Sequence, residues 1–80
     1  MYRPYRELLK KLLDVDVMPA QATGYIAEVC RIPVPRARRL IQGRQPWTFR
    51  EAAAVAADLD IPRQSWADVF WPGEVADIYS

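Results

Sequence analysis

Apolar residues recur at three- and four-residue intervals through most of the chain, and proline or glycine interrupts each run. Tyr5, Leu8, Leu9, Leu12 and Leu13 share one face of a helix predicted from Pro4 to Leu13, with Pro4 suited to its first turn. The stretch "DVDVMPAQA" breaks the period. Tyr25, Ile26, Ala27 and Val29 are the apolar content of a second helix that opens at Pro19 or is capped by Thr23, and ends near Cys30. A third is predicted from Val34 or Pro35 to Gln42, with Gly43 placed for the left-handed conformation that closes a helix. Pro35 disfavours helical angles at the residue before it, so Val34 is expected at or before the cap. "Thr48-Phe49-Arg50-Glu51" has the form of a capping box, and the alanine-rich run behind it continues to Leu59. A fifth helix starts near Pro62 and carries Trp66, Val69 and Phe70, whereas Pro72 and Gly73 leave the final "WPGEVADIYS" unassigned. No alternating strand pattern competes. The expected fold is all-α, a compact five-helix bundle over residues 1–70 with a tail at 71–80.

Composition removes whole classes of function. Eighty residues make one domain, and 51% hydrophobic residues with three tryptophans are enough to build its core. One cysteine gives no disulfide framework, and the absence of histidine gives no Cys/His metal site. Cys30, in an apolar helical setting, is expected to be a small core residue and not a reactive thiol. No apolar run is long enough to span a membrane, and "MYRPYRELLKK" leads into no secretory h-region, so a soluble, cytoplasmic protein is expected. Ser65 and Ser80 lack a visible activating base, and Gly24, Gly43 and Gly73 are too scattered for a phosphate loop. A non-enzyme without cofactor, metal or small-molecule ligand is the expectation.

Charge then changes the picture. The net charge is only +1, but residues 31–50 hold six arginines (Arg31, Arg36, Arg38, Arg39, Arg44 and Arg50) and no acid. Residues 1–28 are balanced, and beyond residue 50 a single Arg63 faces Glu51, Asp58, Asp60, Asp68, Glu74 and Asp77. A binding face responds to local field and not to the total, so this distribution favours a polyanion at the centre of the chain.

The basic segment coincides with a second pattern. Ile26-Ala27, Ile32, Ala37 and Leu40 have the spacing of two helices crossing closely at a small residue, with Ile32 plugging the turn. Here the chain resembles the Cro and repressor-type helix-turn-helix family of phage and bacterial regulators. "LIQGR" resembles the end of that family's recognition helix, "WTFREAAAVAADLDIP" its fourth helix and "RQSWADVF" its closing helix, so the likeness covers roughly residues 5–70. Arg31 stands where the family usually has glycine, so a non-glycine residue is expected in a strained or left-handed turn. Pro33 and Val34 replace the usual polar cap, and Thr23 or Gln21 lies near the place of the glutamine that often opens the second helix.

The resemblance implies a lambda-repressor-like DNA-binding domain with its second helix over about residues 19–30 and its recognition helix over about 34–42. Ala37, Leu40 and Ile41 would face the core, and Val34, Pro35, Arg38 and Arg39 would meet base edges, the arginines pairing with guanine O6 and N7. Arg36, Arg44 and Gln45 are expected on phosphates, with added backbone contacts from Gln21 and Thr23. Trp47, Phe49, Trp66 and Phe70 read as core aromatics. A single recognition helix suggests a homodimer on a palindromic operator, with Trp66, Phe70, Trp71, Ile78 and Tyr79 as candidates for the subunit contact. The implied function is a Cro-like transcriptional repressor that occupies double-stranded DNA. The rival class is a protein-interaction module on the same fold, such as an antitoxin or adaptor, for which the acidic last third speaks.

Overall fold

The chain folds into five α-helices: α1 (Arg6–Asp14), α2 (Ala22–Cys30), α3 (Val34–Ile41), α4 (Phe49–Leu59) and α5 (Trp66–Phe70). Single 3-10 turns, Pro19–Gln21 and Arg63–Ser65, lead into α2 and α5. This is a computed structural model, and it describes residues 6–72. Among the described residues there is no strand, as the single 3.6-residue periodicity requires.

Every helix contributes to one core. Leu8 and Leu12 of α1, Ala22 and Ile26 of α2, Ala37 and Leu40 of α3, Ala52, Val55 and Ala56 of α4, and Val69 and Phe70 of α5 are buried together, with Trp47 and Ile61 supplied by the connections. The central helix is α2, which packs on both α3 and α4, while α1 lies against α5. Alanine at positions 22, 37, 52 and 56 keeps these short helices close, because no side chain longer than a methyl separates them there.

Four helices close in the same way. Asp16, Arg31, Gly43 and Asp60 take positive φ values of 62°, 56°, 75° and 55° after α1, α2, α3 and α4. The next residue then donates its N–H five residues back: Val17 to Leu12 (2.9 Å), Ile32 to Ala27 (3.0 Å), Arg44 to Arg39 (2.9 Å) and Ile61 to Ala56 (2.9 Å). These bonds satisfy carbonyls that a helix end leaves open. Val17, Ile32 and Ile61 then tuck an apolar side chain against the core, whereas α3 sends the exposed Arg44 outward. The left-handed turn expected at Arg31 is present (φ 56°, ψ 51°). For a residue with a Cβ it costs about 1 kcal/mol, which the burial of Ile26 and Ala37 on either side outweighs.

Some boundaries differ from expectation. Leu13 is 45% exposed and not a core residue, because α1 turns it past the buried face of Leu8 and Leu12. Thr23 lies inside the first turn of α2 and is not its cap, since the tighter turn at Pro19–Gln21 already starts the spiral. Val34 is the first helical residue of α3, with Pro33 as N-cap. The bias that Pro35 places on it is a preference, and the burial of Ala37 and Leu40 outweighs it. Phe49 is 56% exposed because it opens α4 at the surface, so it is not a core aromatic.

Candidate nucleic-acid interface

The site begins with the oddity of Pro33-Val34-Pro35. A helix start leaves four N–H donors without intrahelical partners. In α3 two of those donors do not exist, because Pro33 and Pro35 have no N–H. Pro33 is extended (φ −63°, ψ 148°), and no side chain caps the helix. Its carbonyl accepts the first helical bond from Ala37 N at 3.1 Å. The prolines thus start α3 without a cap by removing half the demand for one.

Ala37 and Leu40 are fully buried, and a turn of about 100° per residue fixes what faces away from them. Pro35, Arg38, Arg39 and Gln42 occupy that side, Val34 lies at its edge on the leading end, and all five are exposed. Arg38 and Arg39 also lie in the last turn, where positive charge complements the helix dipole. Gln42 was not among the expected readers, since it marked the helix end. The 3.6-residue period could have shown that it shares the Arg38–Arg39 face.

Arg36 departs from its expected place. It sits on the flank of α3 and is half-buried, and its Nε donates to Glu51 Oε2 at 2.7 Å. Glu51 is only 5% exposed. Its other oxygen, Oε1, accepts from Thr48 N at 3.0 Å and from Thr48 Oγ1 at 2.9 Å, and its own N–H donates to Thr48 Oγ1 at 3.2 Å. The expected capping box is therefore present, and the same carboxylate also ties α3 to α4. Burial alone would push the Glu51 carboxyl up, but the bonds from Arg36 and Thr48 outweigh it and hold the group below its ordinary value. Arg36 therefore gives its Nε to a buried carboxylate that needs a cation, a tie to α4 that the sequence reading did not include.

On the other flank the chain folds back after α3. Gly43 N bonds to Leu40 O at 3.2 Å, and the following turn brings the half-buried Gln45 beside the helix, where Arg39 Nε donates to Gln45 Oε1 at 3.0 Å. Arg44 stays exposed. Of the residues expected to add contacts from the start of α2, Gln21 accepts from Met18 N at 3.2 Å through its side chain, and Thr23 is half-buried. Arg31 and Arg50, given no role from sequence, line a surface cleft with Cys30, Ile32, Arg36 and Thr48. The Cys30 thiol donates to the Glu51 carbonyl at 3.6 Å. Burial, then the Glu51 charge, pushes it up to about 11, so it is a neutral thiol at physiological pH.

The aromatic residues divide into two groups. Trp47 and Phe70 pack at 4.9 Å in the core, and Trp71 donates its indole N–H to Trp47 O at 3.0 Å. Phe70 has no exposed surface, so its candidacy for a subunit contact is corrected: the core already covers it. Trp66 and Trp71 are half-buried, and Trp66 donates to Ile61 O at 3.1 Å. Ile78 and Tyr79 lie outside the described residues. At the surface the Phe49 and Trp66 rings pack 5.4 Å apart, tilted by 51°, and the Arg63 guanidinium lies 4.9 Å and 4.8 Å from them.

Among the described residues no helix is long and apolar enough to cross a membrane, and no cluster of His, Cys, Asp or Glu side chains could hold a metal ion. Comparison with known proteins finds no matching family model, no matching curated protein and no matching solved structure.

Proposed function

We propose that this protein is a sequence-specific double-stranded DNA-binding regulator of the Cro-like repressor type, with α2 and α3 as its helix-turn-helix. The observation that carries the proposal is the two-sidedness of α3. Ala37 and Leu40 are fully buried on the α2 side, and Arg38 and Arg39 are exposed on the other, with no acidic residue between positions 31 and 50. A helix so mounted can enter a major groove about 12 Å wide, and arginine is the side chain that pairs bidentately with guanine. Val34 and Pro35 at its leading end offer apolar contact to thymine methyl groups. Arg44, Arg31 and Arg50 surround the helix as candidates for phosphate contact. Two copies on half-sites about 34–36 Å apart would read a palindromic operator, with no cofactor required.

The test is binding to mixed-sequence duplex DNA across a salt series, followed by selection of preferred sequences from a pool. The proposal expects affinity to fall steeply with salt as phosphate counterions are released, and a guanine-containing site to emerge. Absence of binding at low salt overturns it. One observation favours a protein-interaction module instead: the exposed Phe49, packed against Trp66 and Arg63, is a surface that aromatic-rich protein contacts use. Under that reading, changes at Phe49 abolish partner binding, and changes at Arg38 and Arg39 do not.

A further inference from the structure

Gln45, expected from its place in the sequence to contact phosphate, is held in a different relationship. Its amide oxygen accepts from Arg39 Nε at 3.0 Å. Arginine has donors only, so the orientation of the amide is fixed by chemistry: the oxygen must face the guanidinium. The geometry follows from the closure of α3. The bonds from Gly43 N to Leu40 O at 3.2 Å and from Arg44 N to Arg39 O at 2.9 Å pin the loop back onto the helix that carries Arg39. Gln45 is half-buried there, so it is a support anchored to the same body as the residue it touches. Arg38, one residue away on the same exposed side, has its charge in the open and has no such support shown.

We infer that Gln45 positions Arg39 for base reading and is not itself a phosphate ligand; this rests on the DNA-binding function proposed above. With Nε occupied, Arg39 is left with its two terminal nitrogens, the end of the guanidinium fork that matches guanine O6 and N7. A free arginine loses rotamer freedom when it binds, and one already held by its Nε loses less. Guanine discrimination at the base pair Arg39 meets therefore depends on Gln45, although Gln45 touches no base.

The test uses the full chain and four proteins: wild type, Arg39→Ala, Gln45→Ala and Gln45→Glu. Arg39→Ala first identifies, within the selected duplex, the guanine whose replacement no longer matters. At that position Gln45→Ala should reduce the discrimination by roughly 3- to 10-fold, part of what a whole bidentate pair provides, while binding to mixed-sequence DNA and its salt slope stay as in wild type. Gln45→Glu keeps an oxygen for Nε and should keep the discrimination. A phosphate ligand behaves oppositely: Gln45→Ala weakens all sequences alike, and Gln45→Glu, with its negative charge against the backbone, weakens them further. That pattern overturns the inference and leaves DNA binding standing. Specific binding by wild type with no base preference lost in Arg39→Ala removes the reading role of Arg39 and the support with it, whereas no DNA binding by wild type shows that the proposed function itself has failed. Thermal unfolding of each variant, unchanged from wild type, separates these outcomes from loss of fold.

Discussion

The two helices on either side of the basic loop are built by opposite means. The eleven residues of α4 carry their own instructions: a threonine cap, a glutamate at the third position and an alanine-rich interior of high helix propensity. The eight residues of α3 have no side-chain cap, one proline in their first turn behind a second at the N-cap, and three arginines on a short spiral. What holds α3 in place is supplied from elsewhere, by the core beneath Ala37 and Leu40 and by Glu51 of α4 through Arg36. The contrast teaches where a helix can draw its stability from the rest of the fold. A helix secured by its neighbours needs no side-chain cap of its own, and its solvent side is left to arginine.

The largest effect should come from breaking what lies beneath α3. Leu40 is fully buried, and Leu40→Ala should destabilise the fold by about 2–5 kcal/mol through lost burial and the cavity left behind. The urea midpoint should fall with little change in slope. A loss under about 1 kcal/mol would mean that α3 is not held by its core contacts, and the contrast with α4 would collapse.

Glu51 is the point where the two helices meet, and its removal should rank second. Glu51→Ala takes away the acceptor of the Thr48 N–H, which with the rest of the capping box should cost about 1 kcal/mol, and it also leaves Arg36 without its partner. Glu51→Gln keeps an oxygen for Thr48 but turns an amide N–H, a donor, toward Arg36 Nε, so it keeps the cap bond and loses both the charge and the acceptor that Arg36 uses. The two differ in their response to acid. The folded carboxyl titrates below its ordinary value of 4.5, so the folded state binds a proton more weakly than the unfolded chain does. The stability it contributes is therefore complete above that ordinary value and is lost as pH falls through the lower folded-state value. Unfolding midpoints measured from pH 7 downward should drop through this window in wild type, and the drop should be smaller in Glu51→Gln. Equal acid sensitivity in the two proteins would show that the ion pair contributes nothing.

The same contrast explains what could be read from the chain. All five helices, the α4 box and the closure at Gly43 were legible because each depends on residues within one or two turns of each other, and the inward set Ile26, Ala37 and Leu40 was legible from its spacing across the turn. Leu13 and Phe49 were misplaced because apolar character does not say which edge of a face the core covers. The roles of Glu51 and Gln45 were hidden for a different reason. The box at Thr48 uses one carboxylate oxygen, and nothing in the local pattern says that the second meets Arg36, fifteen positions earlier. Gln45 reaches Arg39 only because Gly43 reverses the chain by a particular amount. Side-chain pairs across a turn are tertiary facts, and they decide which of the arginines are held and which are open.

The smallest effects should appear at the caps themselves, and there the two helices should respond unequally. Thr48→Ala removes an oxygen that accepts from Glu51 N at 3.2 Å, and it should cost about 1 kcal/mol, the ordinary value of an N-cap. At the corresponding place in α3, Pro33→Ser adds the missing acceptor, which can take the N–H of Arg36. The gain is opposed on two sides. Serine restores a backbone donor that proline had removed, and it releases the unfolded chain from the restriction proline imposed, a penalty of about 0.4–1 kcal/mol. The two contributions are of similar size, so the net change should lie within about 0.5 kcal/mol of zero. A clear stabilisation would mean that α3 has been short of a cap all along. A clear loss would mean that the rigidity of Pro-Val-Pro, and not the reduced number of open donors, is what starts the helix.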